Sequence, residues 1–230
     1  MVDDQTREAH ERLRNKWDLK KKKNVSGSIE RYKARLVSGG NSQVLGRDYN
    51  LTFAAVLDTT SGKIILAVAR LWNVRARHFD VPSAHLKDYK EEEFEIYMRV
   101  PKGMTVSDDE LRTFNVASAG ETCLQLIKSL YGLKQAGRLW NQLLDQTLND
   151  AGLSQSAMDA CVYVKTTAEG TTVVGVYVDD LLATATSDEL LDAFGAAMQI
   201  LELKCLVSVK NFLGMRIGYD DLHGYTVDQE

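Results

Sequence analysis

Thr171-Thr172-Val173-Val174-Gly175-Val176-Tyr177-Val178-Asp179-Asp180-Leu181-Leu182-Ala183-Thr184-Ala185 is the stretch that decides the fold: two apolar runs joined by adjacent carboxylates. Such runs, rich in β-branched residues, read as buried strands. Successive side chains of a strand point to opposite faces, so Asp179 and Asp180 can serve one site only where the chain turns; the reading is strand, Asp-Asp turn, strand. Two like charges beside a core call for a compensating cation. Mg²⁺ suits carboxylate oxygens and keeps waters that substrate phosphates can replace. On its own, the pair is equally an ordinary solvated turn.

Upstream, Cys161-Val162-Tyr163-Val164-Lys165 joins the run from Thr171 as a hairpin closed by Ala168, Glu169 and Gly170. Downstream, Ser187 is placed to cap a helix over 188–201 with Asp188 and Glu189 in its first turn, and a last strand pair falls between 207 and 227. Residues 76–81 form a strand ending at Asp80, which can supply a third carboxylate from a neighbouring strand. Before it, Ile64, Ile65, Val68, Leu71 and Trp72 recur at helical spacing over 60–73 and read as core. Phe94, Ile96, Met98 and Val100 alternate with Glu95, Tyr97 and Arg99, predicting a half-buried strand over 94–100 that Pro101 and Gly103 end. The polar stretch 104–120 reads as an irregular excursion or a short helix. Lys134–Ala151 makes an amphipathic helix through Leu139, Leu143, Leu144 and Leu148, with Gly152 in the C-cap position. Trp17–Lys23 and Ser28–Val37 form a basic hairpin turning around Asn24 and Gly27, preceded by a short charged helix over 6–16. Hairpins predominate in this mixed order, which makes the fold class α+β with an antiparallel sheet.

Composition narrows the function. With 230 residues, 44% of them hydrophobic, the chain can bury one large core or two small ones. Cys123, Cys161 and Cys205 lie far apart with neither CxxC nor His-Cys spacing, which argues against a disulfide framework or a zinc site and for a reducing, intracellular setting. No apolar run reaches the ~18–20 residues of a membrane-spanning helix, and the N-terminus is not signal-like. The formal charge of −4 is unevenly spread: residues 1–50 carry 12 Lys and Arg against 7 Asp and Glu, the remainder 16 against 25. Lys20 to Lys23, Arg31, Lys33 and Arg35 make a stripe that can meet phosphates or serve as a solvated, gatekept strand edge.

Several segments carry a family resemblance. Asp80-Val81-Pro82-Ser83-Ala84-His85-Leu86 resembles polymerase motif A of copia-type reverse transcriptases, and Tyr177-Val178-Asp179-Asp180 matches the tyrosine-x-aspartate-aspartate of motif C. Ser129-Leu130-Tyr131-Gly132-Leu133-Lys134-Gln135-Ala136, with Arg138 and Trp140, resembles the segment that serves as motif B. Lys33-Ala34-Arg35-Leu36-Val37 resembles the fingers motif, and Phe212-Leu213-Gly214-Met215 the primer grip. The resemblance runs from about residue 17 to the end, in the family's order. It implies a right-hand fold in which 17–230 are fingers and an antiparallel palm sheet packed on helices, with 1–16 a helical extension and the thumb and ribonuclease H absent or incomplete. It implies an RNA-directed DNA polymerase, a nucleotidyltransferase of a retrotransposon polyprotein, with two Mg²⁺ ions, or Mn²⁺ in their place, on Asp80, Asp179, Asp180 and the carbonyl of Val81. The expected partners are an RNA or DNA template with primer, deoxynucleoside triphosphates, and the ribonuclease H and integrase regions of the parent polyprotein. The setting it implies is a cytoplasmic virus-like particle. Lys33, Arg35, His85 and Gln135 would touch the nucleotide, and Tyr177, Phe212, Leu213 and Gly214 the primer.

The pattern departs from the family in places. His85 stands where Phe or Tyr is usual, the aromatic that lies under the sugar and rejects a 2′-hydroxyl; an imidazole is smaller and polar. Pro82 fixes φ and removes a backbone donor beside Asp80. Lys204-Cys205-Leu206-Val207 replaces an acidic and glycine pattern before the primer grip. The chain is expected to be a fragment, and the competing reading is a catalytically inactive remnant that keeps the fold and binds nucleic acid or another subunit.

Overall fold

The computed structural model describes residues 12–24, 27–206 and 208–229. In chain order the elements are β1 (Asn15–Lys23), β2 (Ile29–Ser38), α1 (Thr59–Trp72), β3 (Arg77–Asp80), β4 (Tyr97–Arg99), α2 (Asp108–Thr113), β5 (Cys123–Gln125) and α3 (Ala136–Asp150). There follow β6 (Ser154–Gln155), β7 (Val162–Thr167), β8 (Gly170–Tyr177), β9 (Asp180–Ala185), α4 (Asp188–Ala197), β10 (Lys204–Cys205), β11 (Asn211–Phe212), β12 (Met215–Asp220) and β13 (Gly224–Asp228). Two compact units result: one takes the described residues up to Phe53 and His85–Trp140, the other Ala54–Ala84 and the chain from Asn141. The α+β expectation holds, with antiparallel sheets and helices against them.

In the second unit a six-stranded antiparallel sheet runs β10-β3-β9-β8-β7-β6. Its centre, β9, is buried on both faces: Leu181, Leu182, Ala183, Thr184 and Ala185 are all at 0% exposure. Register and two-residue periodicity assign the faces. Phe79, Leu181 and Val176 lie opposite one another and on the side where Phe79 meets Phe194 of α4 edge-on. His78, Leu182 and Gly175 lie on the other side, where α1 packs. A Cβ on Gly175 would stand 2.6 Å from Cδ1 of Ile65 and 3.0 Å from Cδ2 of Leu57, so the missing side chain lets α1 approach the sheet. Asp58 caps α1 by accepting from the Thr60 amide, and Asn73, at φ 55°, ends it. Gly62, Ile65, Leu66 and Ala69 form its buried face. Ile64 and Leu71, expected in the core, are 57% and 81% exposed, because they project from a second apolar face that the sheet does not cover.

In the first unit β1 and β2 pair as the expected hairpin, Lys20 opposite Lys33 and Lys22 opposite Arg31. Leu13, Phe94, Ile96, Leu133 and Ala136 form this unit's core, with Leu126 and Leu130 against it. Of the helix expected over 6–16, residues 6–11 lie outside the described residues, and 12–16 are not helical. Leu13 instead pairs with β4, its amide donating to Tyr97 O and its carbonyl accepting from Arg99 N, and Asn15 opens β1. The strand expected over 94–100 is regular only at Tyr97–Arg99. Tyr97 is buried rather than outward, its hydroxyl donating to Glu95; burial first, then that carboxylate, push its pKa up to about 12. The stretch 104–120 holds the short α2, whose Ser107 and Glu110 make a capping box. Ser187 caps α4 as expected, although that helix stops at Ala197 and finishes in a 3₁₀ turn. Val207 lies outside the described residues, and the last strand pair is β12 with β13.

Candidate active site

The turn between β8 and β9 falls one residue earlier than the expected Asp-Asp turn, because Asp180 already opens β9. Tyr177 pairs with Asp180, so Val178 and Asp179 form a two-residue connection, with Val178 in the left-handed region at φ 55°. Strand β3 docks on the far edge of β9 with Asp80 directly opposite Asp180. The Val81 amide donates to the Asp179 carbonyl at 2.8 Å and fixes the turn against the end of β3. Asp80, Asp180 and Tyr177 therefore share one face, and directly opposed residues on neighbouring strands hold their Cβ atoms about 4.5–5.5 Å apart.

The electrostatics follow from this placement. The Asp80 carboxyl is raised above its ordinary value, first by burial and then by the charges of Asp179 and Asp180. His78 and Lys204 oppose the rise. Lys204 is brought there by β10, where it pairs with Asp80, so the stretch that departs from the family pattern sets a cation beside the carboxylates. His78 lies on the same face as Asp80, two residues before it, and its Nε2 makes a 2.6 Å hydrogen bond with Oδ1 of Asp180. The sequence offered no signal for this residue beyond that two-residue spacing. Phe212 stands edge-on to His78 at 5.7 Å and to Tyr177 at 6.3 Å, which brings two of the expected primer residues to the carboxylate face. Leu213 and Gly214, both at positive φ, turn β11 into β12, and the Leu213 side chain reaches Gly62 of α1.

The donor set suits a hard divalent cation: carboxylates opposed across two strands, one of them raised by burial and then by its neighbours' charge. Their gathering is incomplete. Among the described residues no group of three or more His, Cys, Asp and Glu side chains is close enough to hold a metal ion, and one oxygen of Asp180 is engaged by His78. Val81 is fully buried.

The expected nucleotide residues belong to the first unit. Arg35 lies over the ring of Tyr131 at 5.1 Å, and His85 meets the same ring edge-on at 5.3 Å. His85 Nδ1 is 3.2 Å from the Ala136 carbonyl. Tyr131, quoted in the sequence only as part of a motif, is thus the residue that joins two of the four. Lys33 stands two residues before Arg35, on the same face of β2. Gln135 is fully buried: its side chain accepts from Gln43 at 3.0 Å and donates to Asp48 O at 2.9 Å. Gln43 in turn accepts from the Lys134 amide at 2.7 Å, so this network ties the loop after β2 to the turn before α3.

A family model described as "Reverse transcriptase (RNA-dependent DNA polymerase)" matches residues 4–230. This chain belongs to the reverse transcriptase family. It is 34% identical over 207 residues to the "Retrovirus-related Pol polyprotein from transposon TNT 1-94" of Nicotiana tabacum, covering 89% of this chain and 15% of that protein. It is 37% identical over 178 residues to the "Retrovirus-related Pol polyprotein from transposon RE1" of Arabidopsis thaliana, covering 76% of this chain and 11% of that one. The copia-type reverse transcriptase domain of a retrotransposon polyprotein is therefore the class of enzyme to which the chain is assigned, and it spans a small part of each of these relatives.

Proposed function

We propose that residues 17–230 act as the fingers and palm of an RNA-directed DNA polymerase that extends a primer on an RNA or DNA template. The observation that carries the reading is the pairing of Asp80 with Asp180 on adjacent strands, beside a turn that presents Asp179. Asp80, Asp179 and Asp180, with the carbonyl of Val81, would hold Mg²⁺ or Mn²⁺. Two such ions, when bound, would supply activation of the primer 3′-hydroxyl and neutralisation of the leaving pyrophosphate. The rest falls to the chain's own side chains. Lys33 and Arg35 bind triphosphate oxygens, and the cation-π contact with Tyr131 holds the Arg35 guanidinium in one orientation. His85, fixed by Ala136 O and Tyr131, borders the sugar, and Gln135 sets the turn that carries this wall. Tyr177 and Phe212 form an apolar ledge for the primer terminus, with Leu213 and Gly214 supplying its turn. The parent polyprotein would contribute ribonuclease H and integrase regions, within a cytoplasmic particle.

A second reading, an inactive remnant that retains the fold, is favoured by one observation: Asp180 is engaged by His78 and the three carboxylates are not gathered. Primer extension on a poly-adenosine template with an oligo-thymidine primer, with and without Mg²⁺, separates the two. Metal-dependent extension that Asp179→Asn/Asp180→Asn abolishes is the expected result. A folded protein that binds the duplex and never extends it would overturn the polymerase reading for this chain.

A further inference from the structure

His78 is a polar side chain at a position where the sheet is otherwise apolar. It pairs with the fully buried Leu182, its side chain is only 9% exposed, and Phe212 covers the ring edge-on at 5.7 Å. The backbone beneath it is fixed on both edges of β3, by Leu182 on one side and by the Leu206 amide, which donates to the His78 carbonyl at 2.8 Å, on the other. A buried polar group needs a partner, and here the partner is Oδ1 of Asp180, 2.6 Å from Nε2. A carboxylate only accepts, so Nε2 carries the hydrogen and donates it. His78 stands two residues further into the sheet than Asp80 on the same face, so it reaches Asp180 from the sheet's interior, while Asp80 faces Asp180 at the end of β3. One oxygen of Asp180 is thereby tied inward, and the other is turned away from the imidazole.

We propose that His78 is a positioning residue, which fixes the rotation of the Asp180 carboxylate through one oxygen and leaves the second oxygen available to a divalent cation. The inference rests on the metal role proposed for Asp80, Asp179 and Asp180, and deepens it. A carboxylate that must find its ion by rotation loses that freedom on binding, whereas one already held loses less. Phe212 keeps the imidazole in place, since it packs on Tyr177 at 6.3 Å as well as on His78. The contact that counts toward an inactive site when taken as a competitor for the ion is, on this assignment, the contact that orients its ligand.

Mn²⁺, whose free concentration is read by electron paramagnetic resonance, is titrated into the full chain without nucleic acid or nucleotide. Asp179→Asn/Asp180→Asn identifies the binding that belongs to this site. Two variants then differ in reach: the amide nitrogen of His78→Gln comes to the place of Nε2, whereas that of His78→Asn comes only to the place of Nδ1 and falls short of Asp180. His78→Asn should weaken Mn²⁺ about tenfold, as the loss of a hydrogen bond to a metal ligand does, and His78→Gln should stay within about twofold of the unmodified chain. Both amides are polar and smaller than imidazole, so packing alone would not separate them, and circular dichroism checks that both fold. Equal affinity in His78→Asn and the unmodified chain would overturn the proposal, as would tighter binding, which would make His78 a competitor for the ion. Equal losses in both amides would reduce His78 to a packing residue. Nitrogen NMR of the metal-free, unmodified chain with labelled histidine needs no variant: the His78 ring should carry its hydrogen at Nε2, and a neutral ring protonated at Nδ1 alone would overturn the proposal. An unmodified chain that binds no Mn²⁺ here would overturn the metal reading as well, whereas site-specific Mn²⁺ binding that is the same in all three chains would leave that reading standing.

Discussion

Replacing Gly132 by alanine tests how the first unit is assembled. Gly132 stands at φ +90°, and a Cβ there would lie 2.2 Å from the Ser38 carbonyl oxygen and 2.7 Å from Cγ1 of Val37. The carbonyl cannot swing away freely, because the Ser38 amide donates to Tyr131 O at 2.7 Å and locks the end of β2 to this turn. Gly40 closes the contact from the other side, its own missing Cβ lying 2.0 Å from Gly132 O. The left-handed conformation costs a non-glycine residue about 1–2 kcal/mol, and forcing a methyl into filled space costs about 1–3 kcal/mol more. Gly132→Ala should therefore lose about 2–5 kcal/mol, a fall in Tm on the order of 10 °C for a chain of this size. Gly46→Ala is the matched comparison: its φ is +82° with nothing within 4 Å of the added atom, so it should lose only the conformational part, about 1–2 kcal/mol. Thermal unfolding by circular dichroism of the two variants side by side measures the difference. If Gly132→Ala is no less stable than Gly46→Ala, the close approach of β2 to the motif turn is not what constrains that position.

Asp80→Asn should raise Tm at neutral pH in the absence of divalent metal, since it removes a half-buried charge held among Asp179 and Asp180. Adding Mg²⁺ should raise the Tm of the unmodified chain and leave the variant nearly unmoved; equal metal shifts in both would show that Asp80 takes no part in holding the ion. His85→Tyr should sharpen the preference for deoxynucleotides over ribonucleotides in single-nucleotide incorporation, and an unchanged selectivity and rate would remove His85 from the sugar's border.

The strands around the carboxylates were legible because apolar runs flank them on both sides: Val173–Tyr177 and Leu181–Ala185 can hardly be anything but buried strands. That the chain turns at the aspartates followed from strand geometry, although the turn takes Val178 and Asp179 and leaves Asp180 in β9. What followed from register was hidden. His78 meets Asp180 only because β3 pairs with β9 across a long separation in sequence, and nothing local in Arg77-His78-Phe79 announces it. Gln135 read as a residue facing a pocket because its motif suggested one, whereas the amides and carbonyls of a loop ninety residues upstream bury it completely. Ile64 and Leu71 read as core because α1 carries apolar residues on more than one face, and periodicity alone cannot say which face a sheet will cover. The helix drawn over 6–16 failed at its described end because Leu13 found a strand partner in Met98.

Strand β9 has a consequence for the motions of the molecule. With both faces covered and neighbours on both edges, its amides can exchange with solvent only when the sheet itself comes apart. The 104–118 excursion, itself largely exposed and holding the short α2 with no buried residue, has no such protection. A deuterium-exchange map should find its slowest amides within a few residues of Asp180. The reacting groups would then ride on the last part of the second unit to open, while this excursion of the first unit breathes many times faster.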